Sequence, residues 1–243
     1  MLPVFLLAGF VKGVIGLGLP PVSMGLLAVA MSPAHALAIV IVPGLLTNIW
    51  QTFAGRHLRD IMHRLWPLML GLVVGTRLNA GMMAGPTARY GSIFLGILLV
   101  IYAAVSLRKF VFTVSRQNEK WIGGIVGLVS GAIAAATGVQ VIPSMPYLQA
   151  VGMAKDEFVQ ALGVFFTIGT LALAFNLTAA GLLDESTALP GIIALACAFS
   201  GMTIGQIVRS RLAPAAFRRW FLISMICLGI YLAITATYEI SFA

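Results

Sequence analysis

Two apolar, membrane-length stretches of this sequence are broken by glycine and proline at matching places. The first break is Gly16-Leu-Gly18-Leu-Pro20-Pro21 and the second is Gly138-Val-Gln140-Val-Ile-Pro143. Each lies inside an apolar run of about thirty residues, longer than the ~20 that a simple span needs. Glycine and proline together unwind a helix, and bare backbone at membrane depth is tolerated only where protein buries it or where it lines a cavity. Paired interruptions in two halves of a chain point to the binding site of a secondary transporter.

Composition sets the class. The 243 residues are 60% hydrophobic and 9% charged, whereas a soluble domain carries about 25% charged residues. The chain therefore reads as an all-α polytopic membrane protein with almost no room for a soluble domain. Its net charge of +8 is read as topology first, and no nucleic-acid partner is expected. Cys197 and Cys227 both lie in apolar segments, which argues against a disulfide, and there is no CxxC metal motif. The start, Met-Leu-Pro-Val-Phe, lacks the basic region of a secretory signal, so the first apolar stretch is expected to be retained.

Apolar segments fall at 2–31, 34–55, 65–81, 89–107, 121–153, 157–180, 187–208 and 217–238. The polar stretch 108–120 divides the chain into a first membrane repeat, 1–107, a basic cytoplasmic linker, 108–120, and a second membrane repeat, 121–243. A shift of 122 residues pairs Gly9 with Gly131, Gly16 with Gly138, Pro21 with Pro143, Met31 with Met153 and Phe53 with Phe175. With small insertions, Gly71 and Gly75 pair with Gly201 and Gly205, and Arg89 and Tyr102 with Arg218 and Tyr231. The order of these matches and the shared break indicate a four-segment duplication.

Basic residues choose between two topologies. If all eight segments cross, Arg56, Arg59, Arg64, Arg108, Lys109, Arg116 and Lys120 face seven others across the membrane, with no bias. If segments 1 and 5 are re-entrant hairpins that turn back at the break, Lys155, Arg209, Arg211, Arg218 and Arg219 join the first group. The count is then twelve against Arg77 and Arg89 alone. The hairpin reading obeys the positive-inside rule. It makes the two tandem four-segment repeats inverted, with both termini outside the cytoplasm. Long, tilted or kinked helices that span are the alternative.

In the hairpin reading the second arms begin near Ser23 and Ser144, with Pro21 and Pro143 in the favoured first-turn position. Free N–H groups and the helix dipole turn a positive end inward, and the serines add hydroxyl donors. This is an anion site without a buried charge. A packed, kinked helix is the plainer reading of either break alone. Lys12 is the one basic residue well inside an apolar segment, which makes it a candidate anion ligand, with snorkelling to the interface as the alternative. Its repeat partner is Ala134. Asn48, Gln51, Gln140, Thr170 and Asn176 are polar residues in apolar runs that line a path or bond helices together. The candidate substrate set is Lys12, Gly16, Gly18, Pro21, Ser23, Asn48, Gln51, Gly138, Gln140, Pro143, Ser144 and Thr170.

Arg77 and Arg89 read as interfacial anchors. The GxxxG pairs Gly9/Gly13, Gly71/Gly75, Gly127/Gly131 and Gly201/Gly205 read as close helix contacts. All seven carboxylates fall in connections or at chain ends, so a coupling carboxylate within the membrane is not expected. No GxxxxGK[ST], HExxH or other metal cluster occurs, and neither an enzyme nor a cofactor is expected.

The run Gly9-Phe-Val-Lys12-Gly13-Val-Ile-Gly16-Leu-Gly18-Leu-Pro20-Pro21, with its second copy from Gly131 to Pro143, resembles the glycine-rich signature of the sulfite exporter TauE/SafE family. The tandem repeat, the length and the central basic loop extend the resemblance over nearly the whole chain. The second copy departs from the signature, with Ala134-Ala135-Ala136-Thr137 where glycines are expected. The resemblance implies a prokaryotic inner-membrane carrier of small sulfur-containing anions such as sulfite, sulfonates or sulfoacetate. Its partners would be the anion and the bilayer, with a homodimer allowed. A coupled importer of organosulfur anions and a non-transporting membrane scaffold are the alternatives.

Overall fold

The computed structural model describes residues 1–15, 19–82, 90–108, 113–183, 185–209 and 214–242. Gly16 and Gly18 of the first break, and Arg89, Lys109 and Arg211 from the topology argument, lie outside the described residues. The described residues form ten α-helices and no strand. They are α1 (Leu2–Ile15), α2 (Leu19–Leu27), α3 (Pro33–Phe53), α4 (Leu58–Leu78), α5 (Gly91–Leu107), α6 (Glu119–Thr137), α7 (Ser144–Ala150), α8 (Lys155–Ala179), α9 (Glu185–Arg209) and α10 (Pro214–Phe242), with a short 3-10 turn at Ala80–Met82. Five of them, α3, α6, α8, α9 and α10, contain stretches long and apolar enough to cross a membrane, and α1 and α5 are shorter apolar helices.

Glycines decide which helices touch. Helices in lipid gain no hydrophobic drive from pairing and rely on close contact, for which glycine removes the obstacle. A methyl at Gly9 or Gly13 of α1 would fall on the carbonyl of Ala198 or Met202 of α9, and one at Gly201 or Gly205 of α9 on that of Leu6 or Phe10 of α1. Between α4 and α6, Gly71 and Gly75 meet the carbonyls of Gly124 and Leu128, while Gly127 and Gly131 meet those of Leu68 and Leu72. The four GxxxG pairs therefore form two interfaces, and each joins the first half of the chain to the second. In a third, Gly96 of α5 and Gly229 of α10 approach each other's carbonyls to 2.5 Å from the would-be Cβ.

One ion cluster shows where the chain turns. Arg64, near the start of α4, bonds both carboxylate oxygens of Glu119, the first residue of α6. It also donates to the Val151 carbonyl just after α7 at 3.1 Å and lies 3.8 Å from Glu157 near the start of α8. Helices α4, α6 and α8 thus all begin at one face. The chain leaves along α6 and is back at that face by Val151. Tyr147 of α7 closes the loop by donating to the Glu119 carbonyl at 2.8 Å. Glu119, expected in a connection, instead opens α6 and is 5% exposed.

At the opposite face, Pro33 at the start of α3 lies against Gly91 at the start of α5, close to Ala136 at the end of α6. The end of α3 reaches the start of α8. Gln160 donates to the carbonyls of Thr52 and Gly55 at 2.8 and 3.0 Å and accepts from the His57 N–H at 2.8 Å. These bonds satisfy carbonyls that a helix end otherwise leaves without partners. Helices α3 and α8 therefore run in opposite directions.

Candidate functional site

Lys12 sits near the end of α1, one turn before the first break, and is 8% exposed. Its Nζ donates to Thr47 Oγ1 at 3.0 Å and to Asn48 Oδ1 at 2.8 Å, both on α3. Thr47 is set by its own helix: its hydroxyl donates to the carbonyl of Pro43, one turn earlier, at 2.7 Å. Both partners of Lys12 are neutral. The ion pairs among the described residues belong to Arg64, not to Lys12. The lysine is thus turned inward onto α3 rather than snorkelling, and its ammonium is held by dipoles alone.

The second break is built differently. Helix α6 ends at Thr137, and Gly138 caps it in the left-handed region at φ 72°, donating to the Ala134 carbonyl at 2.8 Å. Glycine adopts that conformation without strain. Gln140 follows, 2% exposed, with Nε2 directed at the Phe166 carbonyl (3.3 Å) and Thr170 Oγ1 (3.4 Å) of α8. Its amide fills the hollow at Gly169, where a Cβ would strike it. Ser144 donates to the Gln140 carbonyl at 2.6 Å, so its proton stabilises the turn. Pro143 immediately precedes α7.

The second break lies against α2 and α3. A Cβ on Gly138 would lie 2.9 Å from Met24 Cε of α2 and 3.1 Å from Leu37 Cδ1 of α3. Pro21 and Ser23 lie in the same short α2. The hydroxyls of Thr52 and Thr167 are 3.1 Å apart. Thr52 lies one turn beyond Asn48 and Thr167 one turn before Thr170, so in these antiparallel helices Asn48 and Thr170 fall on the same side of that contact. Gln51 lies apart from them and donates to the Val159 carbonyl at 2.7 Å. Asn176 bonds Arg77 and the Thr76 carbonyl, and Arg77 stacks over Phe175 at 4.4 Å. Both residues join helix ends.

Among the described residues, four buried polar atoms have no hydrogen-bond partner: Ser23 Oγ, Asn48 Nδ2, Ser130 Oγ and Gln140 Oε1. An unsatisfied buried group costs about 1–3 kcal/mol, so each is a point at which a ligand atom or a water gains a bond. Asn48 Nδ2 is a donor beside the Lys12 ammonium, a pairing suited to an anion's oxygens. Thr47 and Ser130 were not legible as site residues. Thr47 had the signal of adjoining Asn48 within an apolar run, whereas Ser130 had none beyond being polar.

A helical chain with five membrane-length apolar helices among its described residues, a helix break at Gly138 and a buried cation facing neutral dipoles is, by class, a polytopic membrane transport protein. The family model described as sulfite exporter TauE/SafE matches residues 1–232, and the chain belongs to that family. No curated protein and no solved structure matches it.

Proposed function

We propose that this protein exports small sulfur-containing anions, of the sulfite, sulfonate or sulfoacetate class, across a prokaryotic inner membrane, and that Lys12 and Asn48 form the core of the anion site. The observation that carries this reading is the Lys12 ammonium. It is buried, two neutral acceptors hold it, and the adjacent Asn48 Nδ2 is a donor without a partner among the described residues. A buried cation needs a counter-charge, and a transported anion supplies one. Ser23 adds a hydroxyl from α2.

The architecture supports inverted repeats with re-entrant hairpins. Helix α1 packs on α9 as α6 packs on α4, and α3 packs on α8 and α5 on α10. Each relation maps onto its counterpart when the halves are exchanged. The α6–α7 arms open from the face that holds Arg64, and antiparallel α3 and α8 put α1–α2 on the other. With Arg56, Arg59, Arg64, Arg116 and Lys120 near one face, the positive-inside rule makes that face cytoplasmic and leaves both termini outside. An inside-negative potential then drives anion exit by ~2.3 kcal/mol per charge per 100 mV, so uniport suffices for export.

Flux in proteoliposomes tests the proposal with sulfite, sulfoacetate and a panel of sulfonates. An imposed inside-negative potential should accelerate efflux in wild type and leave it near background in Lys12→Met. Efflux indifferent to the potential but driven by a sodium or proton gradient would favour the coupled importer. Absence of flux for every anion would favour the scaffold.

A further inference from the structure

Two cavities meet at Lys120. One is a polar cleft of about 700 Å³ at the Arg64 face, lined by Arg59, His63 and Arg116 among others. The other is an apolar groove of about 580 Å³ on the outer surface between α4 and α6, lined by Trp66, Leu70, Val74, Trp121, Ile125 and Leu128. Lys120 lines both. Gly124 on the groove wall carries no side chain, which leaves the trough open. The Cβ direction of Gly124 is open, with Pro67 the nearest neighbour at 3.9 Å. Trp121 is 80% exposed on the rim, the placement of an indole at a membrane–water boundary.

We propose that this groove binds one anionic diacyl phospholipid, with an acyl chain along α4 and α6 and its phosphate at Lys120, the residue that lines both cavities. The shape is amphipathic in the sense that such a lipid requires: an apolar trough that runs into a charged cleft, where Arg59, Arg64, Arg116 and Lys120 outnumber Asp60, Glu119 and Glu157. Arg64 in that cleft is held by Glu119, whereas Lys120 and Arg116 enter no ion pair among the described residues. A second copy of the chain is a poorer occupant. A two-fold interface brings the same patch together from both copies, and so offers Lys120 and Arg116 no anionic group beyond the carboxylates their own cleft already holds.

The test uses the full-length protein in detergent micelles, with Trp50→Phe and Trp220→Phe so that emission comes from Trp66 and Trp121. Phosphatidylglycerol with brominated acyl chains should reach half-maximal quenching at about fivefold lower lipid fraction than brominated phosphatidylcholine, the discrimination one basic residue gives at a membrane surface. Lys120→Gln should remove that preference. Gly124→Leu fills the groove and should weaken quenching by both lipids. Lys120 is exposed, so its variant tests the proposal even if Gly124→Leu does not fold. Equal quenching by the two lipids, or a preference that survives Lys120→Gln, overturns the proposal. So does displacement of the lipid by soluble glycerol phosphate, which would make the site one for a free phosphate. Efficient disulfide coupling of two Ile125→Cys copies with no quenching would assign the groove to a second copy instead.

Discussion

Asn48 and Thr170 stand 122 residues apart, and each receives a hydrogen bond from a long polar side chain near a chain break, Lys12 for Asn48 and Gln140 for Thr170. That separation is the shift that aligns the two halves of the sequence. Equivalent positions on α3 and α8 therefore anchor non-equivalent groups, a cation from before the first break and a neutral amide from within the second. The centre of the molecule is electrically lopsided although its helix packing is nearly symmetric.

Lys12 should be indispensable for anion binding. Lys12→Met should abolish measurable affinity for sulfite or a sulfonate, and Lys12→Arg should retain part of it. Isothermal titration of purified variants with matched folding checks this. Wild-type affinity in Lys12→Met would reduce the lysine to a bond between α1 and α3.

The glycine interfaces should separate in stability from glycines with space around them. Gly131→Ala places a methyl against the Leu72 carbonyl and 2.6 Å from the Thr76 nitrogen, both backbone. It should cost about 1–3 kcal/mol, as overpacking does. Gly44 has nothing within 4 Å of its would-be Cβ, and Gly44→Ala should leave stability unchanged or slightly raised. Thermal unfolding in detergent compares the two, and equal losses would contradict the packing described.

Gln140 and Gly169 should be coupled. Gly169→Ala drives a methyl into the Gln140 amide, and Gln140→Ala clears that space. The double variant should be more stable than the sum of the single effects predicts, by about 0.5–3 kcal/mol. Strict additivity in a double-mutant cycle would mean that the amide lies elsewhere.

The Arg64 cluster should hold the α6–α7 arms together. Glu119→Gln removes a charge-assisted pair of bonds from a residue that is 5% exposed, with Arg64 at 21%, and should cost about 1.5–3 kcal/mol. Proteolysis near Val151 should quicken in the same variant, since Arg64 also binds that carbonyl. An unaltered cleavage rate would detach this cluster from the hairpin.

Much of this was legible in the sequence because it is local. The helical class, the second break at Gly138 and the role of the GxxxG pairs follow from composition, periodicity and the absent side chains of glycine. Which pairs meet did not follow. Gly9 and Gly13 of α1 find Gly201 and Gly205 of α9 in the opposite half, and no spacing within either motif encodes that. Lys12 stood out by its charge, yet its partners lie 35 and 36 residues away on another helix. Glu119 resembled a linker residue because its burial depends on Arg64, and Ser144 resembled a ligand donor because its bond to Gln140 forms only once the turn has formed.

The pairing of α1 with α9 also has a consequence in time. Gly9 rests against Ala198, whose codon is read 189 positions later. At about 5–20 residues per second, roughly ten to forty seconds pass between synthesis of the two surfaces. During that interval the first apolar segment can meet α2 and, through Lys12, α3, but its glycine face has no partner. Biogenesis of this protein therefore calls for an insertion machinery that shelters the beginning of the chain until its end has been made.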